Sequence, residues 1–169
     1  RQNWSSPETV ISLPVQHHIV RETAGTGGLD PNDIPIIMAI MNTYYANANV
    51  SFFDCGTINF IDNSTYYDFD MSEESAVCGA NDVANVINIY YFNTVTNGSS
   101  SYCGYAYYPG SHDRVIMKNS CALNGSTLTH ELGHYLSLYH THGSSSTAAE
   151  LVNGSNCLTA GDELCDTPA

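Results

Sequence analysis

Basic residues are scarce: Lys and Arg number 4 against 17 Asp and Glu, for a formal net charge of −13 at pH 7. Nucleic-acid binding through phosphate neutralisation needs clustered Lys and Arg. Attraction to an anionic membrane surface needs the same. Neither nucleic acid nor membrane is therefore expected as a partner. Charged residues of both signs make up only 12%, about half the usual quarter. Long apolar runs are missing too: the longest, Ile34 to Met41, contains Pro35, whereas a membrane span needs about 20 residues. No Cys-x-x-Cys pair occurs, which speaks against a thiolate zinc site or a thioredoxin-type motif. The opening Arg1-Gln2-Asn3-Trp4 lacks the charged and apolar regions of a signal peptide, as either a mature secreted chain or a cytosolic one would.

The chain has 169 residues, 43% of them apolar, enough for one domain with a proper core. Its six cysteines (Cys55, Cys78, Cys103, Cys121, Cys157 and Cys165) are even in number and scattered. That favours disulfides and an oxidising, extracellular compartment. Asn-x-Ser/Thr sequons begin at Asn3, Asn49, Asn63, Asn97, Asn124 and Asn153 and serve as loop markers.

Val10 to Val20 carries β-branched residues and reads as a strand, which places His17 and His18 on opposite faces. Asp30-Pro31 opens a helix to about Ala46, with Asp as cap and Pro in the first turn. Ile34, Ile37, Met38, Met41 and Tyr45 recur there at helical spacing. Val50 to Ile61 predicts one strand. Asp62 to Cys78 predicts a long surface loop, with Asp68, Asp70, Glu73 and Glu74 solvated. Asn85 to Val95 is apolar almost throughout and predicts a strand buried on both faces. Tyr102 to Tyr108 and Arg114 to Lys118 predict two further strands, and Ser126 to Leu138 an amphipathic helix. The mixture predicts an α+β fold, and the Ser/Gly/Asn-rich tail after His140 predicts irregular structure.

The chemistry sits in His130-Glu131-Leu132-Gly133-His134. Two histidines at i and i+4 lie on one helix face, about 6 Å apart, and can share one zinc ion. Glu131 projects beside them and can act as general base toward a water. A catalytic zinc wants a third protein ligand and an open position. His140 is the best third ligand. In a continuing helix it would lie about 9 Å further along the axis and about 120° round from that face. The helix must therefore stop soon after His134 and the chain must bend back. His142 is a rival third ligand, and Glu150 or Glu163 would give the other common zinc-hydrolase solution.

The stretch from His130 to His140 resembles the long zinc motif of the metzincin metallopeptidases. Leu128-Thr129, Leu138-Tyr139-His140-Thr141 and the downstream Gly161-Asp162-Glu163-Leu164-Cys165-Asp166-Thr167-Pro168 look like the pappalysin family, with secreted bacterial ulilysin-like endopeptidases as the expected relatives. The resemblance implies a metzincin-like fold: a twisted, mostly parallel sheet of about five strands, a backing helix and an active-site helix. It implies one catalytic domain over 1–169, with an N-terminal subdomain 1–140 and the start of a C-terminal subdomain at 141–169. The activity it implies is secreted, zinc-dependent endopeptidase action on protein or peptide substrates, with Glu131 as general base and His130, His134 and His140 as zinc ligands. Gly104, Tyr105, Ala106 and Tyr107 stand where the family has its cleft-edge strand, on which an extended substrate pairs. Calcium is implied near Asp162, Asp166 and Thr167.

Two positions depart from the family pattern. Ser137 stands where the family has Gly, at the point where the chain leaves the helix, and a non-Gly residue with positive φ there costs roughly 1 kcal/mol or more. The Met-containing turn that metzincins carry after the third His has no counterpart: Met38, Met41, Met71 and Met117 all precede the motif. The resemblance thus implies a C-terminal part outside this chain, cut away or retained as a separate fragment of the same precursor. Cys157 and Cys165 would reach partners there, leaving Cys55–Cys78 and Cys103–Cys121 as local pairs. The features that depart from the family also keep open an inactive, secreted binding domain of the same fold.

Overall fold

The computed structural model describes residues 9–143 and 148–167; Asn3, Trp4 and Pro168 of the sequence reading lie outside these. The elements run β1 (Ile11–Arg21), α1 (Ile34–Tyr45), β2 (Val50–Asp54), β3 (Asn59–Asp62), α2 (Ser64–Tyr67), β4 (Asp68–Asp70), α3 (Glu74–Val77), β5 (Ile87–Phe92), β6 (Thr94–Asn97), β7 (Ser100–Ser101), β8 (Gly104–Ala106), β9 (Arg114–Lys118) and α4 (Thr127–Tyr135). The main sheet has the order β2-β1-β5-β9-β8, with β3 also on β1. Every pairing in it is parallel except β8 on β9. The α+β architecture, the mostly parallel sheet, the backing helix α1 and the helix α4 agree with the sequence reading.

β5 explains why the sheet needs cover on both sides. All six of its residues are buried, and alternate side chains enter different cores. Ile87, Ile89 and Tyr91 join Ile37, Met41 and Leu132 beneath α1 and α4. Tyr90 and Phe92 join Phe69, Val77 and Val95 on the opposite face. His17 and His18 split in the same way. His17 Nδ1 lies 3.0 Å from the Tyr91 hydroxyl, while the His18 ring stacks on Tyr90 at 4.1 Å. Burial pushes His17 down to about 4 despite Asp54, whose Oδ1 is 3.1 Å from His17 Nε2 but out of line for a hydrogen bond.

Three expectations are corrected. Val50 to Ile61 is two strands, not one. Between them the Gln16 side chain takes the place of the ladder, its Nε2 donating to Thr57 O at 2.8 Å. Asp62 to Cys78 is not a surface loop. It forms α2, β4 and α3 and a second sheet, β4-β6-β7, over which Phe69 is fully buried and stacks on Phe92 at 4.1 Å. Glu74, expected on the surface, is buried, because it pairs with the buried Arg114 at 2.9 Å.

The disulfides are Cys103–Cys121 and Cys157–Cys165. The first agrees with the expected pair and ties the start of β8 to the turn before α4. The second corrects the expectation that these two cysteines reach elsewhere. Cys55 and Cys78 are free thiols, also against expectation: Cys55 is exposed just past β2, while Cys78 is enclosed in the core on the far side of the sheet. After His140 the described residues form turns only. No helix among the described residues is long and apolar enough to cross a membrane.

Candidate metal centre and cleft

Helix α4 is started by Asn124, whose side-chain oxygen accepts from the Ser126 and Thr127 N–H groups at 3.1 and 2.9 Å. It is held against α1 by the Tyr45 hydroxyl, which donates to Thr129 O at 2.8 Å. Its end decides the site. Leu138 N–H bonds Gly133 O at 2.8 Å and Ser137 N–H bonds His134 O at 2.9 Å. This is the paired arrangement of a Schellman cap. Ser137 takes φ 76°, the left-handed conformation that the sequence reading requires at the exit. The Leu138 side chain folds over Gly133, where an added Cβ would meet it at 3.8 Å. α4 thus ends three residues before the predicted helix does, and the chain turns back.

The turn does two things for the histidines. It places the Leu138 carbonyl where it accepts from His134 Nδ1 at 2.8 Å, which fixes the proton on Nδ1 and leaves Nε2 with a free lone pair. It also returns His140 to the helix face. The Nε2 atoms of His130, His134 and His140 lie 3.0 Å from one another in all three pairs. Three nitrogens converging on one point cannot satisfy each other as neutral imidazoles, since each carries one proton at most. They suit a cation bound at about 2.0–2.1 Å from each nitrogen, as zinc is. Partial burial and mutual repulsion lower the proton affinity of His130 and His140, which favours the neutral, ligating form.

These are the only three such side chains gathered in one place among the described residues. Neither Glu150 nor Glu163 joins them. His142 stacks on His140 at 4.8 Å without entering the group. Asp162, Asp166 and Thr167 form no comparable cluster. The Asp162 carboxylate accepts from the Thr167 hydroxyl at 2.9 Å and from the Leu164 N–H at 3.1 Å, Asp166 is exposed, and nothing here supports calcium.

Glu131 is buried behind the triad. Burial pushes its carboxyl group up, while the nearby His134 and the backbone at Ala106 oppose the rise. β8, which contains Gly104, Tyr105 and Ala106, runs close to Glu131: an added Cβ on Gly104 would stand 3.5 Å from Glu131 Cγ. β8 pairs only with β9 among the described residues, so its outer edge faces the cleft. A cavity of about 320 Å³ opens beside the triad, lined among others by Tyr45, Thr129, Leu138 and Tyr139. Tyr108 packs against both His134 and Tyr139, at 5.6 and 5.0 Å.

Residues 70–169 match the M43 peptidase family, described as pregnancy-associated plasma protein-A. The chain belongs to this family. An extracellular metalloprotease of Arthroderma gypseum is 24% identical over 98% of the M43 chain and 58% of its own length. Another, of Verticillium alfalfae, is 28% identical over 94% and 58%. These relatives are fungal, whereas the sequence reading expects bacterial ones. The M43 chain spans less than two thirds of the length of each. Among solved structures, one described as a chaperone–substrate complex shares the fold at a TM-score of 0.53 and 14% identity, over 92% of the M43 chain and 32% of its own. An archaemetzincin of Methanopyrus kandleri superposes at 0.49, with 13% identity over 80% and 79%.

Sequence reasoning missed the close approach of Gly104 to Glu131, since a strand-to-helix contact leaves no trace in local residue identity. It also missed Glu74 and Asp82 behind β8. A signal existed: Arg114, one of only four basic residues, opens a predicted strand whose next residues, Val115, Ile116 and Met117, are all apolar, and a guanidinium buried with them requires acidic partners.

The strain at Ser137 is testable. Ser137→Gly is expected to raise the unfolding free energy by about 0.5–1 kcal/mol, because Gly adopts positive φ without the Cβ clash while adding some entropy to the unfolded chain. Urea unfolding of both forms measures it. A loss of stability would mean that the Ser137 hydroxyl makes a contact that outweighs the strain.

Proposed function

We propose that this chain is the catalytic part of a secreted zinc endopeptidase, with His130, His134 and His140 as the metal ligands and Glu131 as the general base. The observation that carries the reading is the meeting of three Nε2 atoms at 3.0 Å beside a buried carboxylate. The names of the fungal relatives support the extracellular setting. A zinc ion held there supplies Lewis acidity, which acidifies a water and polarises a carbonyl.

The rest falls to the chain. An extended peptide lies along the outer edge of β8, where backbone hydrogen bonds give affinity without demanding particular side chains. Glu131 accepts a proton from the attacking water and later returns it to the departing amine, so the carboxylate ends the cycle as it began. Its raised proton affinity suits both transfers. The net charge of −13 steers basic substrates toward the surface.

Casein hydrolysis with and without a zinc chelator tests this reading. Cleavage should stop on chelation and return when zinc is added back. A folded, zinc-loaded chain that cleaves nothing would instead point to a non-catalytic binding domain.

A further inference from the structure

An ionic cluster that the chemistry above leaves unused lies on the far side of β8. Glu74 opens α3 and is buried. Its Oε2 accepts hydrogen bonds from the Tyr105 and Tyr107 hydroxyls, both at 2.7 Å. Its Oε1 accepts from Arg114 Nη1 at 2.9 Å. Arg114 opens β9 and directs its Nε to Asp82 Oδ2 at 2.7 Å. The other Asp82 oxygen accepts from the Tyr90 hydroxyl at 2.9 Å. One carboxylate therefore ties two residues of the β8 segment to the strand that β8 pairs with.

β8 needs such an anchor. It is three residues long and meets β9 only through Gly104–Met117, Tyr105–Ile116 and Ala106–Val115. Its two faces do different work. Tyr105 and Tyr107, two residues apart, share the face toward Glu74. Gly104 lies against Glu131: an added Cβ there would stand 3.5 Å from Glu131 Cγ. A slip of one residue would exchange the faces, bringing a tyrosine ring against Glu131.

We propose that Glu74 is a positioning residue: by holding Tyr105 and Tyr107 together it locks the register of β8, keeping the outer edge presented to an extended peptide and Gly104 against Glu131. The substrate part of this rests on the peptidase reading above; the register lock itself does not. Burial and the bond to Glu74 push the Tyr107 phenol up to about 12, and the same causes raise Tyr105 further. Both hydroxyls therefore stay protonated and donate throughout the neutral range. The Cys103–Cys121 disulfide anchors the strand just before its first residue, so Glu74 holds the end that the disulfide does not reach.

Hydrogen exchange on the full chain tests the lock without any catalysis. Two variants are compared with the wild type: Glu74→Gln, and Tyr105→Phe with Tyr107→Phe. In both, the β8 amides are expected to exchange about tenfold faster or more, while those of β1 and β5 keep their protection. Unchanged protection of β8 in the double Phe variant overturns the proposal, as does an equal rise across the whole sheet. Should Glu74→Gln fail to fold, the double Phe variant still decides, because it removes two hydroxyl groups and no packing. The second readout is peptide cleavage, where KM for an extended peptide should rise about tenfold in the double Phe variant and by more than kcat falls. A lower kcat at unchanged KM would overturn the substrate-presenting role. A wild-type chain whose β8 is protected but which cleaves no peptide would refute the peptidase reading and leave the register lock intact.

Discussion

Glu131→Gln is expected to lower kcat on protein substrates by about 10² to 10⁴-fold, the range that a positioned acid–base group contributes. The amide keeps the shape of the side chain but cannot take a proton from water. Glu131 is not one of the three converging histidines, so the metal content of the variant should match the wild type. It is buried, and Gln fills the same volume, so the fold should persist. The measurement is steady-state cleavage beside metal analysis of the same preparation. A variant that retains kcat within tenfold of the wild type would place the general base elsewhere.

The second large effect concerns the metal. His140→Ala should weaken zinc binding by more than about a hundredfold, since losing only a supporting hydrogen bond to a ligand already costs 10–100-fold. His140 arrives from beyond the helix, and its Nε2 closes the triangle with His130 and His134 at 3.0 Å to each. Without it the site is the ordinary i, i+4 pair of a helix face, which lacks the third ligand of a catalytic zinc. Competition with a chromophoric chelator gives the affinity directly. Wild-type affinity in this variant would return the third position to His142, Glu150 or Glu163. The turn residue Ser137 offers an internal comparison. Its substitution by Gly changes the cost of the bend and leaves all three ring nitrogens in place.

What could be read from the sequence divides by length of element. The 3.6-residue recurrence of Ile34, Ile37, Met38 and Met41 marks α1 because a helix of three turns repeats its pattern. The apolar run Ile87 to Phe92 marks β5 because burial on both faces leaves no polar position. The site was legible for a different reason. His-Glu-x-x-His is local to one helix, and the demand that His140 return to it follows from helix geometry alone. The region 62–78 defeated the same reasoning. Its elements are three or four residues long, too short for any periodicity, and Phe69 is buried by a sheet formed with residues 94–101, far along the chain. Glu74 reads as one of an acidic pair on a surface because its partners, Tyr105, Tyr107 and Arg114, are more than thirty residues away. Cys55 and Cys78 reveal the same limit: their spacing permits a bridge, but one is exposed past the edge strand β2 and the other is enclosed in the core.

The open edge of β8 has a cost beyond the single chain. Any unpaired strand edge can recruit a like edge from a second copy, and growth along such edges leads to aggregation. Here the exposed run is brief. It begins one residue after a cysteine held by its disulfide and ends shortly before Pro109, which has no N–H to offer a ladder. Two copies meeting there could form only a few bonds before the strand runs out. The same brevity keeps β8 from becoming a seed for the chain's own assembly.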